Sequence, residues 1–365
     1  MVVKPRRGGN KNPPVLSHEF VIQNHADIVA CVAMVFVIGL IFQVSSPLAS
    51  LFITLHHNTT RNVSSINLPF EEEILYTSGW KDGCAVFFYT LIAIVMHALV
   101  QEYVLDKITR KLHLSKVRHS KFNDAGQLLA FALISALWGS NIIMRENYLS
   151  HIALLWDGFP HAEMNFILKF FMLAQLSYWL HWIPEIYFLR MKRDEVPQKM
   201  TTAGIYIAFV SFAYLTNLTR IGTILLVLHF IPEVFLSLGK LCHFAEKDAP
   251  ATWLFRVGNI IFILARFFSV IFAVLTFWFG LEPFATQALR IVALALVGGL
   301  QSYLLFQFSI FHVKRLRTTV VPPVSHPKSP KKTKKATKAD KEVSDLPEVD
   351  QNTRKQAQAK KLKQK

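Results

Sequence analysis

Eight apolar stretches in this sequence are each long enough to cross a membrane as one helix. A helix rises about 1.5 Å per residue, so about 20 apolar residues span a hydrocarbon core about 30 Å thick. Inside that core every backbone polar group needs a partner within the protein, which favours helices. The sequence therefore predicts an all-α fold, a polytopic transmembrane helix bundle of about eight spans. The predicted spans are residues 26–46, 82–101, 126–145, 166–189, 201–219, 221–242, 256–281 and 288–311.

The composition agrees with a membrane protein and offers no sign of a bound cofactor. Hydrophobic residues make up 52% of the 365 residues and charged residues only 18%, which is too apolar for an ordinary soluble domain. Cys31, Cys84 and Cys242 lie in three different apolar stretches without paired spacing, so we expect neither a disulfide framework nor a metal site. No glycine-rich phosphate-binding motif is present, and no cofactor is expected.

The charges of the loops predict how the chain is oriented in the membrane. The loop 56–81 contains Arg61 and Lys81 beside three consecutive glutamates, whereas the loop 102–125 is strongly basic. Because basic loops stay on the cytosolic side, the second loop is expected in the cytosol and the first in the lumen. An even number of spans then places both termini in the cytosol. The basic residues of the second loop are Lys107, Arg110, Lys111, Lys116, Arg118 and Lys121.

Two glycosylation signals lie in the loop that the charges assign to the lumen. Asn58-Thr59-Thr60 and Asn62-Val63-Ser64 both fit the N-x-[ST] pattern. Asparagines in such sequons accept glycans only on the lumenal side of the secretory pathway. The sequence therefore predicts glycosylation of Asn58 and Asn62.

A short repeat places ionisable residues in the middle of two apolar spans. Leu180-His-Trp-Ile-Pro-Glu is followed later by Leu228-His-Phe-Ile-Pro-Glu. Residues four apart share one face of a helix, so His181 and Glu185 are expected to be neighbours, as are His229 and Glu233. The two histidines lie 9 and 11 residues from Arg190 and Lys240. At 1.5 Å per residue, this places them roughly 13–17 Å deep, near the bilayer centre.

Each copy of the repeat also contains a proline that disturbs its helix. Pro184 and Pro232 cannot donate hydrogen bonds to the carbonyls of Leu180 and Leu228, four residues earlier. We therefore predict a helix kink at each proline. Within the bilayer, each freed carbonyl needs a partner from a neighbouring helix or a trapped water.

The repeat has two interpretations, a functional one and a structural one. Arg266 lies ten residues into the seventh span, at the same depth as the two carboxylates. In the functional interpretation it neutralises at least one carboxylate within a polar pocket shared by the two repeats. In the structural interpretation the histidine–glutamate contacts and kinks hold the bundle together, and Arg266 extends toward the cytosolic headgroups. The predicted cluster is His181, Glu185, His229, Glu233 and Arg266.

The last 45 residues form a lysine-rich segment of different composition. From Lys314 onward the sequence contains sixteen Lys and Arg residues and five Asp and Glu residues. This end of the chain therefore accounts for +11 of the formal charge of +16. Residues 321–365 are expected to form a disordered basic tail that can attract anionic membrane lipids or ribosomal RNA. Lys361 and Lys363 fit a K-x-K-x-x signal for return to the endoplasmic reticulum.

Several stretches resemble one known family of membrane proteins. They are the N-terminal Pro-Pro-Val-Leu-Ser-His-Glu-Phe at 13–20, Gln-Asn-His-Ala-Asp-Ile-Val at 23–29, Gln-Glu-Tyr-Val-Leu-Asp-Lys-Ile at 101–108 and Ser-Lys-Phe-Asn at 120–123. All four are similar to signatures of the translocating chain-associating membrane protein (TRAM) family. The resemblance extends from residue 12 to about residue 315.

The resemblance implies a location, partners and a division into domains. It implies a multi-pass glycoprotein of the endoplasmic reticulum that lies beside the Sec protein-conducting channel and contacts signal sequences and nascent membrane proteins. A cytosolic segment at 1–25 and a two-span region at 26–116 with a glycosylated lumenal loop would precede a TLC domain at 117–320 and the tail at 321–365. Ceramide synthases share the TLC fold.

That kinship supplies the alternative function, a TLC-domain lipid-handling protein. Such a protein would be a ceramide-synthase-like acyltransferase or a sphingolipid binder. Ceramide synthases have two consecutive histidines inside the domain, whereas here His229 is followed by Phe230 and the only His-His pair, at 56–57, lies outside it. Acyl transfer needs a base for the attacking group, and none is evident, so no catalytic residue is assigned and the chain is not expected to be an enzyme. A transporter also remains open, since ionisable groups and broken helices at mid-membrane are typical of transporters.

Overall fold

The computed structural model describes Pro14 and residues 17–63 and 71–320. The predicted tail, with Lys361 and Lys363, lies outside the described residues. The helices are α1 His18–Gln23, α2 His25–Gly39, α3 Ser46–Ile53, α4 Asp82–Leu99, α5 Asp106–Leu112, α6 Lys116–Arg145, α7 Phe166–Phe188, α8 Val196–Leu215, α9 Thr219–Phe244, α10 Asp248–Ala273 and α11 Gln287–Val320. The strands are β1 Asn58–Val63 and β2 Glu71–Tyr76.

Six helical segments are long and apolar enough to cross a membrane, which confirms the predicted class of multi-pass helical protein. Two other predicted spans correspond to less apolar or shorter helices: α2 has 15 residues and α8 has 20. The first turns of α8 contain polar residues, which lowers its hydropathy. The six segments are Asp82–Leu112, Lys116–Arg145, Phe166–Phe188, Thr219–Phe244, Asp248–Gly280 and Gln287–Lys314.

The prediction of a loop at 102–125 is wrong, because nearly all of these residues are helical. A π-helical segment, Val100–Leu105, joins α4 to α5, and α6 begins at Lys116. His113 adopts a left-handed conformation, with φ 48°, where the chain reverses between α5 and α6. Lysine and arginine are good helix formers, so these helices continue past the apolar stretches that defined the predicted spans.

The segment between the first and second spans contains a β-hairpin that the sequence did not predict. β1 and β2 pair antiparallel, with Asn58 opposite Tyr76 and Thr60 opposite Ile74. Tyr76 also exchanges backbone hydrogen bonds of 2.8 and 2.9 Å with Met164, just before α7. Threonine and isoleucine favour strands, but the neighbouring asparagines and glutamates obscured this preference. The hairpin therefore marks one end of the bundle, called here the hairpin end.

A buried ion pair joins the hairpin end to the bundle. Lys169 of α7 lies 2.7 Å from a carboxylate oxygen of Asp82 at the start of α4, and their side chains are 0% and 5% exposed. Lys169 also donates 2.8 Å hydrogen bonds to the carbonyls of His56 and Thr77. The Tyr214 hydroxyl of α8 donates to the other Asp82 oxygen at 2.7 Å. One fully buried cation therefore connects α4, α7 and the two ends of the hairpin.

The centre of the bundle is a tight contact between α6 and α9. A Cβ added to Gly139 would come within 2.4 Å of a methyl carbon of Val227 and 3.3 Å of the Phe171 ring. Nearby, the Phe131 and Tyr178 rings stack at 3.3 Å between centroids. Small residues let transmembrane helices approach closely and gain van der Waals contact. Gly139 thus sets the separation of the two central helices.

Candidate functional site

The predicted polar cluster is divided into two groups in the structure. His181 and Glu185 face α2 and α4, whereas His229, Glu233 and Arg266 line a cavity beside α8 and α11. No hydrogen bond or ion pair among the described residues joins the two groups. The prediction of one shared cluster is therefore wrong. The reason is that α7 presents its polar face to the N-terminal helices, an arrangement that a helix-periodicity argument cannot specify.

The first group, called the histidine group, consists of His25, His97, His181 and Glu185. His181 is 0% exposed, and its Nε2 lies 3.2 Å from Nδ1 of His97 on α4. Glu185, also buried, has one carboxylate oxygen 3.5 Å from Nε2 of His25 on α2. The histidine group inside the bundle is therefore built from side chains of three helices, α2, α4 and α7.

Hydrogen-bond partners assign the ring protons of the histidine group. Nδ1 of His181 faces the carbonyl oxygen of Tyr178 and so carries a hydrogen, which leaves Nε2 as an acceptor for Nδ1–H of His97. His25 has Nδ1 at 2.9 Å from the carbonyl of Ile22 and Nε2 facing Glu185. Both nitrogens of His25 thus face acceptors, the arrangement that suits an imidazolium beside a carboxylate.

The start of the chain is tied to the same end of α7 by further polar contacts. Glu19 of α1 forms an ion pair with Arg190, and His18 contacts the Tyr187 hydroxyl. The hydrogen bond from Arg190 holds the pKa of Glu19 below its usual value. The His25 ring stacks on Phe188 with centroids 4.8 Å apart. These contacts fasten α1 and α2 to the end of α7 opposite the hairpin.

A chain of side-chain amides extends the histidine group toward α5. Gln127 of α6 donates to the His97 carbonyl at 2.9 Å and to the Gln101 amide oxygen at 3.4 Å. Gln101 in turn donates to Asp106 at 2.7 Å. This chain passes the π-helical segment Val100–Leu105. Such segments are frequent at functional sites.

The second group lines a cavity of about 780 Å³ formed mainly by α8, α9 and α11, with Arg266 contributed by α10. The Tyr206 hydroxyl and Nε2 of His229 form a hydrogen bond across it. Glu233 accepts hydrogen bonds from Ser237 at 3.0 Å and Lys240 at 3.3 Å. Polar residues at the start of α8 line the end of the cavity that lies away from the hairpin. They are Gln198, Thr201 and Thr202.

Arg266 is buried in the bundle and does not extend to a membrane surface. It is 2% exposed, donates to the Gln301 amide oxygen at 2.9 Å and lies 5.0 Å from the Phe262 ring centroid. Among the described residues it has no carboxylate within ion-pair distance, although Glu233 lines the same cavity. The predicted ion pair from Arg266 to Glu185 or Glu233 is therefore not formed.

The partner expected for one proline-freed carbonyl is present. Pro184 and Pro232 lie inside α7 and α9, and kinks at these positions stay a prediction. Nη2 of Arg266 on α10 lies 3.5 Å from the Leu228 carbonyl oxygen, four residues before Pro232. A neighbouring helix thus supplies the donor that proline removes.

Two histidines of the first group were missed by the sequence analysis. His97 lies inside the predicted second span, so the rule that buried ionisable residues mark a site would have found it. His25 precedes the first span, and only tertiary packing reveals its contact with Glu185. In the described ranges, no group of three or more His, Cys, Asp or Glu side chains is placed to hold a metal ion.

The predicted glycosylation sites both lie in β1 of the hairpin. Asn58 is exposed at the first position of the strand, and Asn62 is the fifth residue of the same strand. Their modification stays a prediction.

Comparison with known proteins identifies the class. Residues 121–310 match the model of the TLC domain family. The translocating chain-associated membrane protein 2 of Mus musculus is 40% identical over 314 residues, and that of Homo sapiens is 38% identical, each alignment covering 83% of both chains. Ceramide synthase 4 of Mus musculus is 27% identical over 146 residues, which are 40% of this chain and 37% of that protein.

These matches define a multi-pass membrane protein with a TLC domain. Within that class, the chain belongs to the translocating chain-associated membrane protein family, since the similarity to those relatives extends over most of both sequences. The similarity to ceramide synthase 4 covers less than half of either chain.

Proposed function

We propose that this protein is a translocon-associated protein of the endoplasmic reticulum membrane that assists protein translocation and membrane insertion. The similarity to the two translocating chain-associated relatives over 83% of the chain supports this most strongly. Its proposed partners are the Sec protein-conducting channel, signal sequences and nascent membrane proteins. The basic tail would add contacts with the ribosome or membrane lipids.

A physical mechanism for this role follows from the partly polar cavity. A signal sequence with a charged flank, or a weakly apolar span, is costly to hold in pure hydrocarbon. The cavity offers such a segment hydroxyl, amide and charged side chains at membrane depth beside apolar ones. It would lower the cost of holding a weakly apolar segment until the segment enters the lipid or the channel. No bond is made or broken in this role.

Photocrosslinking in microsomes tests the proposal directly. We expect a ribosome-bound nascent chain with a weakly hydrophobic signal sequence to crosslink to this protein at positions that follow the signal. The crosslinks should persist in the His181→Ala/His229→Ala double variant, because contact with a nascent chain needs no imidazole chemistry. Absence of crosslinks to a correctly inserted, glycosylated protein would contradict the translocon role.

Glycosylation tests the proposed orientation, with the hairpin in the lumen and both termini in the cytosol. Asn58 is exposed on a strand and available to the glycosylating enzyme. We expect Asn58→Gln and Asn62→Gln each to remove one glycan, seen as a faster-migrating band that endoglycosidase no longer shifts. Asn217 provides a matched control, because its sequon lies in the tight turn between α8 and α9 and should stay unmodified. A membrane-inserted protein that carries no glycan on Asn58 or Asn62 would contradict the placement of the hairpin in the lumen.

The second candidate is a noncatalytic lipid-handling protein, supported by the size of the cavity. Its volume of about 780 Å³ lies within the range of about 300–1,000 Å³ typical of small-ligand sites. His229 is hydrogen-bonded to Tyr206, and among the described residues no second histidine lines this cavity. The single imidazole favours a sphingolipid or other lipid binder over an acyltransferase. Lipid analysis of membranes with and without the protein separates the two, since an acyltransferase would change ceramide levels.

A further inference from the structure

We propose that the cavity binds a single-chain amphiphile with an oxyanion head group, and that Arg266 is the counter-ion of that head group. The inference rests on the lipid-handling candidate above and names its ligand class. It holds whether or not the protein also contacts nascent chains.

Among the described residues Arg266 has no carboxylate within ion-pair distance, and Glu233 of the same cavity attracts its charge only from farther away. Glu233 is paired with Lys240 at 3.3 Å, and His229 is hydrogen-bonded to Tyr206. Arg266 has the neutral partners Gln301 and Leu228, and its buried Nε has no hydrogen-bond partner in the part of the chain that the structure describes. A buried cation without an anion is costly, and a carboxylate or phosphate in the cavity would supply both the charge and the missing acceptor.

The position of the guanidinium is fixed before any ligand binds. Gln301 of α11 holds Nη1 at 2.9 Å, and the Phe262 ring packs against the planar group. The Leu228 carbonyl, freed by Pro232, faces Nη2. Arginine offers a rigid fork of donors that suits carboxylates and phosphates. Little side-chain freedom would therefore be lost when an anion binds.

An apolar cavity of about 230 Å³ adjoins this site and accounts for the hydrophobic chain of the ligand. Ile205, Phe209, Leu225 and Leu300 line both cavities, so the two lie next to each other along α8. Beyond them the lining becomes wholly apolar and approaches the hairpin end at Leu218. The polar residues of α8 lie at the opposite end. The combined space thus changes from polar to apolar along one direction, as a single-chain amphiphile does.

Two sources could supply the oxyanion, a fatty-acid carboxylate or a lipid phosphate. The test uses the full-length protein in nanodiscs and three probes with the same 18-carbon chain: oleate, oleoyl lysophosphatidic acid and oleyl alcohol. We expect at least one anionic probe to bind about ten- to a hundred-fold more tightly than the alcohol, the range of a charged hydrogen bond. Preference for oleate identifies a carboxylate ligand, and preference for the lysolipid identifies a phosphate ligand.

Substitutions of Arg266 test whether this residue causes the preference for an anionic probe over oleyl alcohol. Arg266→Gln should abolish it while leaving binding of oleyl alcohol within about twofold, and Arg266→Lys should retain part of it because the positive charge remains. The matched control is Arg256→Gln, since Arg256 is exposed ten residues earlier on the same helix. Equal binding of the alcohol and both anions to the unmodified protein, or binding of none of them, would overturn the inference without any variant having to fold.

The unmodified protein distinguishes this inference from the translocon role, because Arg266 lines the cavity proposed to hold nascent segments and its substitution affects both. Nascent-chain crosslinks together with preference for an anionic probe would support both proposals. Loss of crosslinks in the unmodified protein with intact lipid binding would reject the translocon role alone. Absence of anion preference with intact crosslinks would reject the amphiphile site alone.

Discussion

Lys169→Met is expected to lower the free energy of unfolding by about 3–5 kcal/mol, the cost of leaving one partner of a buried ion pair alone. The substitution removes the ammonium that contacts Asp82 at 2.7 Å, together with the donor to the carbonyls of His56 and Thr77. Asp82 then stays buried without its cation, and its remaining donors among the described residues are Tyr214 and the Gly79 amide. The loss is measured as the change in the free energy of unfolding when the protein is unfolded in mixed micelles by increasing amounts of a denaturing detergent.

Two further variants show whether the loss comes from the buried charge. Lys169→Met/Asp82→Asn should recover part of the stability, because the asparagine keeps an acceptor for Tyr214 and carries no charge. Lys199→Met removes a similar contact, the 2.9 Å pair with Asp124, whose side chains are 25% and 45% exposed. Its expected cost is about 1 kcal/mol. A double variant less stable than Lys169→Met would contradict the explanation.

Gly139→Ala is expected to destabilise the protein by about 1–3 kcal/mol through overpacking. The new methyl group would lie 2.4 Å from the Val227 side chain, which is stiff at χ1 and cannot move away without shifting α9. The same unfolding measurement detects the change.

Gly204→Ala is the same chemical change, but it is not expected to lower the stability of the protein. Gly204 is exposed on α8, and a Cβ added there meets no atom within 4 Å. Alanine is the better helix former by about 1 kcal/mol, so this variant should be as stable as the original protein or slightly more so. Destabilisation of similar size at both positions would indicate a general effect of replacing glycine and would argue against the close α6–α9 contact.

The sequence predicted the long helices well, because a span depends mainly on the length of its apolar stretch. It was less successful at their ends. Lysines and arginines between Gln101 and Lys121 were assigned to a loop, yet they continue α5 and α6 as good helix formers. The hairpin was missed because its pairing depends on contacts between residues far apart, such as Tyr76 and Met164.

The candidate site was predicted in its parts but not in its arrangement. Helix periodicity predicted that His181 and Glu185 share one helix face and that His229 and Glu233 share another, and in the structure each pair belongs to a single polar group. Which helix faces each pair is a tertiary property, so neither the contact of Glu185 with His25 nor that of Arg266 with Gln301 followed from the sequence. The partner for the Leu228 carbonyl was foreseeable, because a freed carbonyl within the bilayer must be satisfied.

The two ionisable contacts of α7 have a consequence for the order of assembly during synthesis. Lys169 near one end of α7 pairs with Asp82 of α4, and Glu185 near the other end contacts His25 of α2. Both partners leave the ribosome before α7, which is the least apolar of the six long membrane helices in the described part of the chain. The earlier helices can therefore compensate both charges as α7 enters the bilayer. We therefore expect insertion of this marginally hydrophobic span to depend on the helices that precede it.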